Sequence, residues 1–112
     1  MKDLAGRNAV VTGGGQGIGR GIALALADAG MHVAVLDIEQ DAATRTAREI
    51  EARGVKSLAL RVDVTSEASL AEAAEAVANG LGPVHVLSNN AGVSAPQGPI
   101  ADKTDADWQW VF

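Results

Sequence analysis

The stretch "AVVTGGGQGIGRGIA", Ala9 to Ala23, decides how this chain folds. Its β-branched run ends at Thr12, and an apolar run with helical spacing begins at Ile18. Six of the fifteen residues are glycine, which adopts positive φ readily and lets the backbone approach a ligand closely. Because the N-terminus of a helix attracts anions, we expect a tight turn from a strand into a helix, facing a phosphate.

The spacing of the glycines separates several phosphate-binding patterns. In every frame of the dinucleotide fingerprint G-x-G-x-x-G, the last glycine is replaced, by Ile18, Arg20 or Ile22. A P-loop would need lysine followed by serine or threonine, where this chain has Arg20 and Gly21. The pattern that fits is T-G-x-x-x-G-x-G, formed by Thr12, Gly13, Gly17 and Gly19. Taken alone, this pattern also suits a flexible turn without a ligand.

The composition indicates one soluble globular domain. The chain has 112 residues, of which 47% are hydrophobic and 21% charged, and no window approaches the roughly 18 apolar residues of a membrane helix. The formal charge of -5 argues against nucleic acid and anionic membranes as partners, since both attract clustered lysine and arginine. Without cysteine there is no disulfide and no thiolate ligand, and no metal site is predicted. We expect a cytoplasmic protein.

Strand and helix patterns alternate along the chain. Apolar runs rich in β-branched residues predict strands at 8–12, 32–37, 55–64 and 84–89. Helical spacing predicts helices at 18–28 and 41–54, a third after the cap Ser66, and the start of a fourth at 104–112, beyond a loop at 93–103. Strands that are apolar on both faces indicate a parallel sheet covered on both sides. The predicted fold class is therefore α/β, a doubly wound, Rossmann-like parallel sheet, here its N-terminal part with about four strands.

Two carboxylates follow predicted strands. Asp37 ends the second strand, 18 residues after Gly19, where its carboxylate would accept hydrogen bonds from both hydroxyls of an adenosine ribose and repel a 2′-phosphate. This placement favours NAD(H) over NADP(H), although an ordinary solvated aspartate at a strand end remains an alternative. Asp63 ends the third strand, where its side chain could bind the adenine amino group, with the Val64 backbone at the ring edge. A helix-start carboxylate beside Thr65 suits the same spacing of Asp63 equally well.

The segment "SNNAG", Ser88 to Gly92, follows the fourth strand. The first and fourth strands are neighbours across the switch point of this topology, where ligands bind. Paired asparagines can tie adjacent strand ends together, and Ala91 and Gly92 leave room for a flat ligand. An ordinary turn containing asparagine and glycine is the alternative.

The segments "TGGGQGIG", "LDI", "DVT" and "NNAG", in this order and spacing, resemble the short-chain dehydrogenase/reductase family. The resemblance implies an NAD-dependent oxidoreductase that transfers hydride between an alcohol and a ketone or aldehyde, acts on a small-molecule substrate and forms a homo-oligomer, a dimer or tetramer. It implies a structural role for Asn89, and Gln16 before the second motif glycine again favours NAD. The cofactor-binding residues that it implies are Gly13, Gly15, Gln16, Gly17, Ile18, Gly19, Asp37, Ile38, Asp63, Val64, Asn90, Ala91 and Gly92.

The chain departs from the family in its catalytic residues. Family catalysis uses a Tyr-x-x-x-Lys pair with a serine and an asparagine, but this sequence contains no tyrosine, and its last lysine is Lys103. We therefore assign no catalytic residue and expect residues 1–112 to be the N-terminal, dinucleotide-binding part of a single domain that is truncated here. A catalytically inactive NAD-binding module is the alternative. A methyltransferase using S-adenosylmethionine is disfavoured, because Thr12 stands where such enzymes carry an acid.

Overall fold

Strands and helices alternate along residues 4–90, the part of the chain that the computed structural model describes. The predicted loop at 93–103 and the predicted helix start at 104–112 lie outside these residues, as do Ala91 and Gly92. The elements are β1 (Asn8–Thr12), α1 (Gly17–Asp28), β2 (His32–Asp37), α2 (Gln40–Glu51), β3 (Ser57–Arg61), α3 (Glu67–Gly80) and β4 (Val86–Asn89).

The four strands form one parallel sheet in the order β3-β2-β1-β4. β1 lies inside the sheet, where Val11 is in register with Val35 of β2 on one side and with Ser88 of β4 on the other. The chain therefore builds outward from β1 first in one direction and then in the other. This reversal places a switch point between β1 and β4 and confirms the predicted doubly wound sheet.

Each face of the sheet has its own core, because successive side chains of a strand point to opposite faces. The first core joins β1 and β2 to α1 and α2, through Ala9, Val11, Val33, Val35, Ala23, Ala27, Ala43 and Ile50. The second core joins the opposite face to α3, through Val10, Ala34, Leu36, Ala73 and Val77. Central strands that are buried on both faces explain why their sequences show no polar alternation.

Two strands are shorter than the sequence predicts. At the start of β3 the amide of Lys56 donates to Nδ1 of His32 at 3.0 Å, in place of a strand carbonyl. At the start of β4 the amide of Asn8 donates to Nδ1 of His85 at 3.1 Å. Each imidazole thus accepts a hydrogen bond from a backbone amide at the point where two strands begin to pair. β3 also ends early, because the chain turns at Asp63 toward α3.

The helix ends follow the predicted signals, although α2 ends at Glu51, before the predicted end at Gly54. Ser66 caps α3, since its hydroxyl accepts a hydrogen bond from the amide of Ser69 at 3.1 Å. Gly30 and Gly54 follow α1 and α2 at φ values of 91° and 87°, a conformation that glycine adopts without strain. Within residues 4–90, no helix combines the length and apolarity that crossing a membrane requires.

The buried face of α1 consists of small residues, Gly19, Ala23 and Ala27. A Cβ built on Gly19 would stand 2.0 Å from the carbonyl oxygen of Gly13, so the first turn of α1 lies directly against the glycine turn. The larger side chains of Ile22, Leu24 and Leu26 are partly buried and pack against the same core. Ile18, the first apolar residue of the predicted helix, is by contrast 78% exposed.

The contact between Gly19 and Gly13 predicts a large difference between two glycines of α1. Gly19→Ala should destabilise the full-length protein by about 2 kcal/mol or more, because the backbone must shift to admit the methyl group. Gly21→Ala is the matched control, since a Cβ there meets no atom within 4 Å. It should be neutral or stabilise by up to about 1 kcal/mol, because alanine favours the helix. Urea unfolding of both variants measures the difference, and equal midpoints would contradict this account of the turn.

Candidate dinucleotide site at the carboxyl edge of the sheet

The carboxyl ends of all four strands meet at one edge of the sheet, which they reach at Thr12, Asp37, Arg61 and Asn89. The candidate residues among 4–90 lie at these ends or in the segments that follow them, which for β1 include the first turn of α1. Hydrogen bonds join the glycine turn to Asp37, and β1 to Asn89 and Asn90 at the end of β4. Among residues 4–90, the hydrogen bonds of Asp63 stay within its own segment. In the part of the chain described here, no group of acidic or histidine side chains could hold a metal ion.

The first half of the glycine turn is packed on the sheet. Gly13 has a φ of 64° and donates its amide to the carbonyl of Leu36 at 2.7 Å. Gly14 is buried, and a Cβ there would stand 2.9 Å from Cγ1 of Val35. These two glycines therefore allow the chain to leave β1 without lifting off the core.

Gly15 is also buried, and both its backbone groups are bonded to other segments. Its amide donates to Oδ2 of Asp37 at 2.9 Å, and its carbonyl accepts from Oγ1 of Thr46 at 3.3 Å. A Cβ on Gly15 would stand 2.6 Å from the Cβ of Ala42 in α2. Sequence reasoning missed Thr46, although the spacing of Ala43, Thr46, Ala47 and Ile50 marks one apolar face of α2 and could have identified it as a buried polar residue.

The second half of the turn is open to solvent. Gln16, Gly17 and Ile18 are exposed, and Gly17, at a φ of 61°, has no atom within 4 Å of where a Cβ would stand. The N-cap residue Gln16 makes no side-chain hydrogen bond to the helix, and the first turn of α1 has no acidic residue. The first turns of α2 and α3 each carry one, Asp41 and Glu67. The N-terminus of α1 therefore keeps an uncompensated positive dipole beside a backbone that a ligand can approach.

Asp37 is a nearly buried carboxylate held by backbone amides. Its side chain and backbone together leave only 8% of the residue exposed. Oδ2 accepts from Gly15, and Oδ1 accepts from the amide of Glu39 at 2.9 Å. Because each carboxylate oxygen has two lone pairs, both oxygens can accept a further hydrogen bond. Ile38 stands beside this carboxylate and is 48% exposed.

Asp63 organises the start of α3. Its Oδ1 accepts from the amide and the hydroxyl of Thr65, at 2.9 and 2.6 Å, and its own amide donates to Oγ of Ser69 at 3.0 Å. The two hydrogen bonds from Thr65, led by the hydroxyl, lower the pKa of the Asp63 carboxyl from its usual value. Val64 packs against the α3 side of the sheet. These contacts match the helix-start interpretation of Asp63, and the adenine contact stays a prediction.

Thr12 ties β1 to β4 at the switch point. Its hydroxyl donates to Oδ1 of Asn89 at 2.7 Å and accepts from the amide of Asn90 at 2.9 Å. The side chain of Asn90 turns back and donates to Oγ of Ser88 at 2.7 Å. The side chain of Asn89 and the backbone amide of Asn90 thus join the end of β4 to the end of β1, as the sequence suggested. Ala91 and Gly92, the other two candidates of this segment, lie outside the described residues.

A family profile and an individual relative both match this chain to dehydrogenases. The sequence profile of the short chain dehydrogenase family matches residues 7–112. The 7alpha-hydroxysteroid dehydrogenase of Escherichia coli K12 is 43% identical over 102 residues, which make up 88% of this chain and 40% of that enzyme.

Solved structures agree in fold. A short chain dehydrogenase/reductase from Burkholderia phymatum in complex with NAD superposes with a TM-score of 0.78 at 37% identity, covering 99% of this chain and 39% of that one. The complex of RhlG with NADP from Pseudomonas aeruginosa has a TM-score of 0.73 at 36% identity, covering 84% of this chain and 39% of that one. The chain therefore spans about two fifths of the length of the proteins it matches. The chain belongs to the short-chain dehydrogenase/reductase family.

Proposed function

We propose that this chain is the NAD(H)-binding part of a dehydrogenase that transfers hydride between an alcohol and a ketone or aldehyde. The observation that carries the proposal is the Asp37 carboxylate, held by the glycine turn beside the open N-terminus of α1. A positive helix end and a fixed carboxylate at the edge of one sheet suit the diphosphate and the ribose of one dinucleotide. The proposal includes that the whole protein assembles as a homo-oligomer.

The diphosphate would bind where the turn is open. Gln16, Gly17 and Ile18 are exposed, and nothing near Gly17 occupies the space where a side chain would stand. A phosphate there meets free space, helix amides and the positive end of the dipole. The other glycines of the motif would shape the turn, since Gly13 is at positive φ and Gly19 admits no side chain.

The adenosine ribose would bind Asp37. Ribose hydroxyls can donate to the lone pairs that the two backbone amides leave on the carboxylate. A 2′-phosphate would instead place negative charge beside a nearly buried negative charge, which is costly. One solved relative binds NAD and another binds NADP, so family membership alone leaves the choice open. The aspartate at residue 37 supports NAD. The neutral Gln16 supports the same choice.

The adenine would lie against apolar side chains. Ile18 and Ile38 are the two large hydrophobic residues that stand exposed among residues 4–90, at 78% and 48%. Both adjoin the proposed ribose and diphosphate positions, so a flat ring would remove them from water. We propose Asp63 and Val64 as further contacts of the adenine, and Asn90, Ala91 and Gly92 as contacts on the ribose and nicotinamide side.

The nicotinamide, when bound, supplies the hydride acceptor or donor, and these residues bind and orient the cofactor. We assign no catalytic residue within the sequence, because it contains no tyrosine for the proton transfer that the family uses.

Replacing Asp37 tests the cofactor assignment. Asp37→Ala in the full-length protein should weaken NADH binding by about tenfold or more, because a charge-assisted hydrogen bond contributes about 1.5–3 kcal/mol. NADPH should lose much less affinity or gain some, because the repulsion of its 2′-phosphate disappears. Calorimetric titration with both cofactors measures the change.

Asp41→Ala is the matched control for this test. It removes the same charge from an exposed position in the first turn of α2. Its NADH affinity should stay within about twofold of the unchanged protein, since exposed charges interact weakly through water. Equal titration curves for the Asp37 variant and the unchanged protein would count against the ribose contact.

Turnover tests the reaction class. The full-length protein, given NAD⁺ and a panel of secondary alcohols that includes hydroxysteroids, should produce NADH, followed by the absorbance of reduced nicotinamide. The panel includes steroids because a relative is a hydroxysteroid dehydrogenase. Binding of NADH without turnover on any alcohol or ketone would favour an inactive binding module. Failure to bind either cofactor would overturn the proposed function altogether.

A further inference from the structure

Gly15 contacts two other elements although it has no side chain. Its amide binds the Asp37 carboxylate at the end of β2, and its carbonyl binds the Thr46 hydroxyl in α2. Its Cα faces Ala42 of α2 so closely that a methyl group would not fit between them. The middle of the glycine turn is therefore fixed from two sides by groups that belong to β2 and α2.

Thr46 is the unusual member of this arrangement. It is 0% exposed and lies on the apolar face of α2, which packs on the sheet through Ala43, Ala47 and Ile50. A hydroxyl buried in such a face is unfavourable unless it forms a hydrogen bond. The hydroxyl of Thr46 reaches out of its own helix and donates to Gly15 at 3.3 Å. The hydroxyl is therefore satisfied by the glycine turn while the side chain stays buried on the apolar face of α2.

We infer that Thr46 is a positioning residue for the cofactor's diphosphate: it holds Gly15 on α2 and thereby sets the place of Gln16, Gly17 and Ile18. The inference rests on the proposed function, because it concerns the same turn. Thr46 is fully buried and acts without touching the cofactor. Without its hydroxyl, the turn would occupy the binding position for a smaller fraction of the time. The apparent dissociation constant rises by the inverse of that fraction.

Thr46→Val in the full-length protein tests this inference, because valine keeps the branched shape and removes the hydroxyl. We expect the dissociation constants for NADH and for ADP-ribose to rise roughly three- to tenfold, as the binding-competent fraction falls to between a third and a tenth. Thr46→Ser retains the hydroxyl donor, so its dissociation constants for NADH and ADP-ribose should lie within about twofold of those of the unchanged protein. Isothermal titration calorimetry measures all three proteins.

Thr44→Val is the matched control on the same helix. The Thr44 hydroxyl accepts from Nε2 of Gln40 at 3.1 Å on the surface of α2 and has no bond to the turn. This variant removes the same atom from the same type of residue, so its affinities for NADH and ADP-ribose should not change.

Hydrogen–deuterium exchange separates positioning from a general loss of structure. In cofactor-free Thr46→Val, amide exchange should accelerate in peptides that cover 13–19, while peptides from β1 and β2 keep their protection. Uniformly faster exchange, or loss of affinity that Thr46→Ser does not restore, would show a merely structural role and overturn the inference. Unchanged affinity together with unchanged exchange at 13–19 would overturn it as well. If the unchanged protein fails to bind NADH, the proposed function falls, and the exchange data still decide whether Thr46 positions the turn.

Discussion

The placement of α1 depends on the close approach of Gly19 to the carbonyl of Gly13, which leaves no room for a Cβ. Because no side chain separates them, the helix begins directly above the end of β1. Ala23 and Ala27 continue the same close contact along the sheet. A helix that lies this near the strand end has its N-terminal amides beside the switch point. The contact between Gly19 and Gly13 thus explains both the small residues on the buried face of α1 and the position of the proposed binding site.

The motif glycines divide into two groups with different physical tasks. At Gly13, Gly14, Gly15 and Gly19, the missing side chain lets the turn approach the sheet, α2 or itself, or lets the chain take positive φ. At Gly17, positive φ occurs in open space. The glycine motif therefore combines glycines that the packing of the protein requires with one glycine, Gly17, that leaves open space on the surface of the turn. The spacing alone does not distinguish these tasks, because both need glycine.

Much of this arrangement could be predicted from local sequence. Strand positions, the Ser66 cap and the placement of Asp37 at a strand end follow from hydrophobic period, capping and topology, which depend on neighbouring residues. The contact of Thr46 with Gly15 joins residues 31 positions apart, so no local pattern contains it. The hydrogen bonds from Lys56 to Nδ1 of His32 and from Asn8 to Nδ1 of His85 join residues 24 and 77 positions apart, so no local pattern contains them either. The two interpretations of Asp63 could not be separated either, because helix start and ligand contact need the same carboxylate.

The charge of Asp37 links stability to the choice of cofactor. A nearly buried carboxylate loses its hydration, and the amides of Gly15 and Glu39 replace part of it with fixed donors. Two donors leave acceptor capacity unused, and neutral hydroxyls can fill it without adding charge. An asparagine would turn its amide nitrogen toward one of the two backbone donors, so a neutral residue of the same shape could not hold both segments. The group that repels a 2′-phosphate is therefore also the group that fixes the glycine turn. A change of cofactor preference at this position must supply new acceptors for the amides of Gly15 and Glu39.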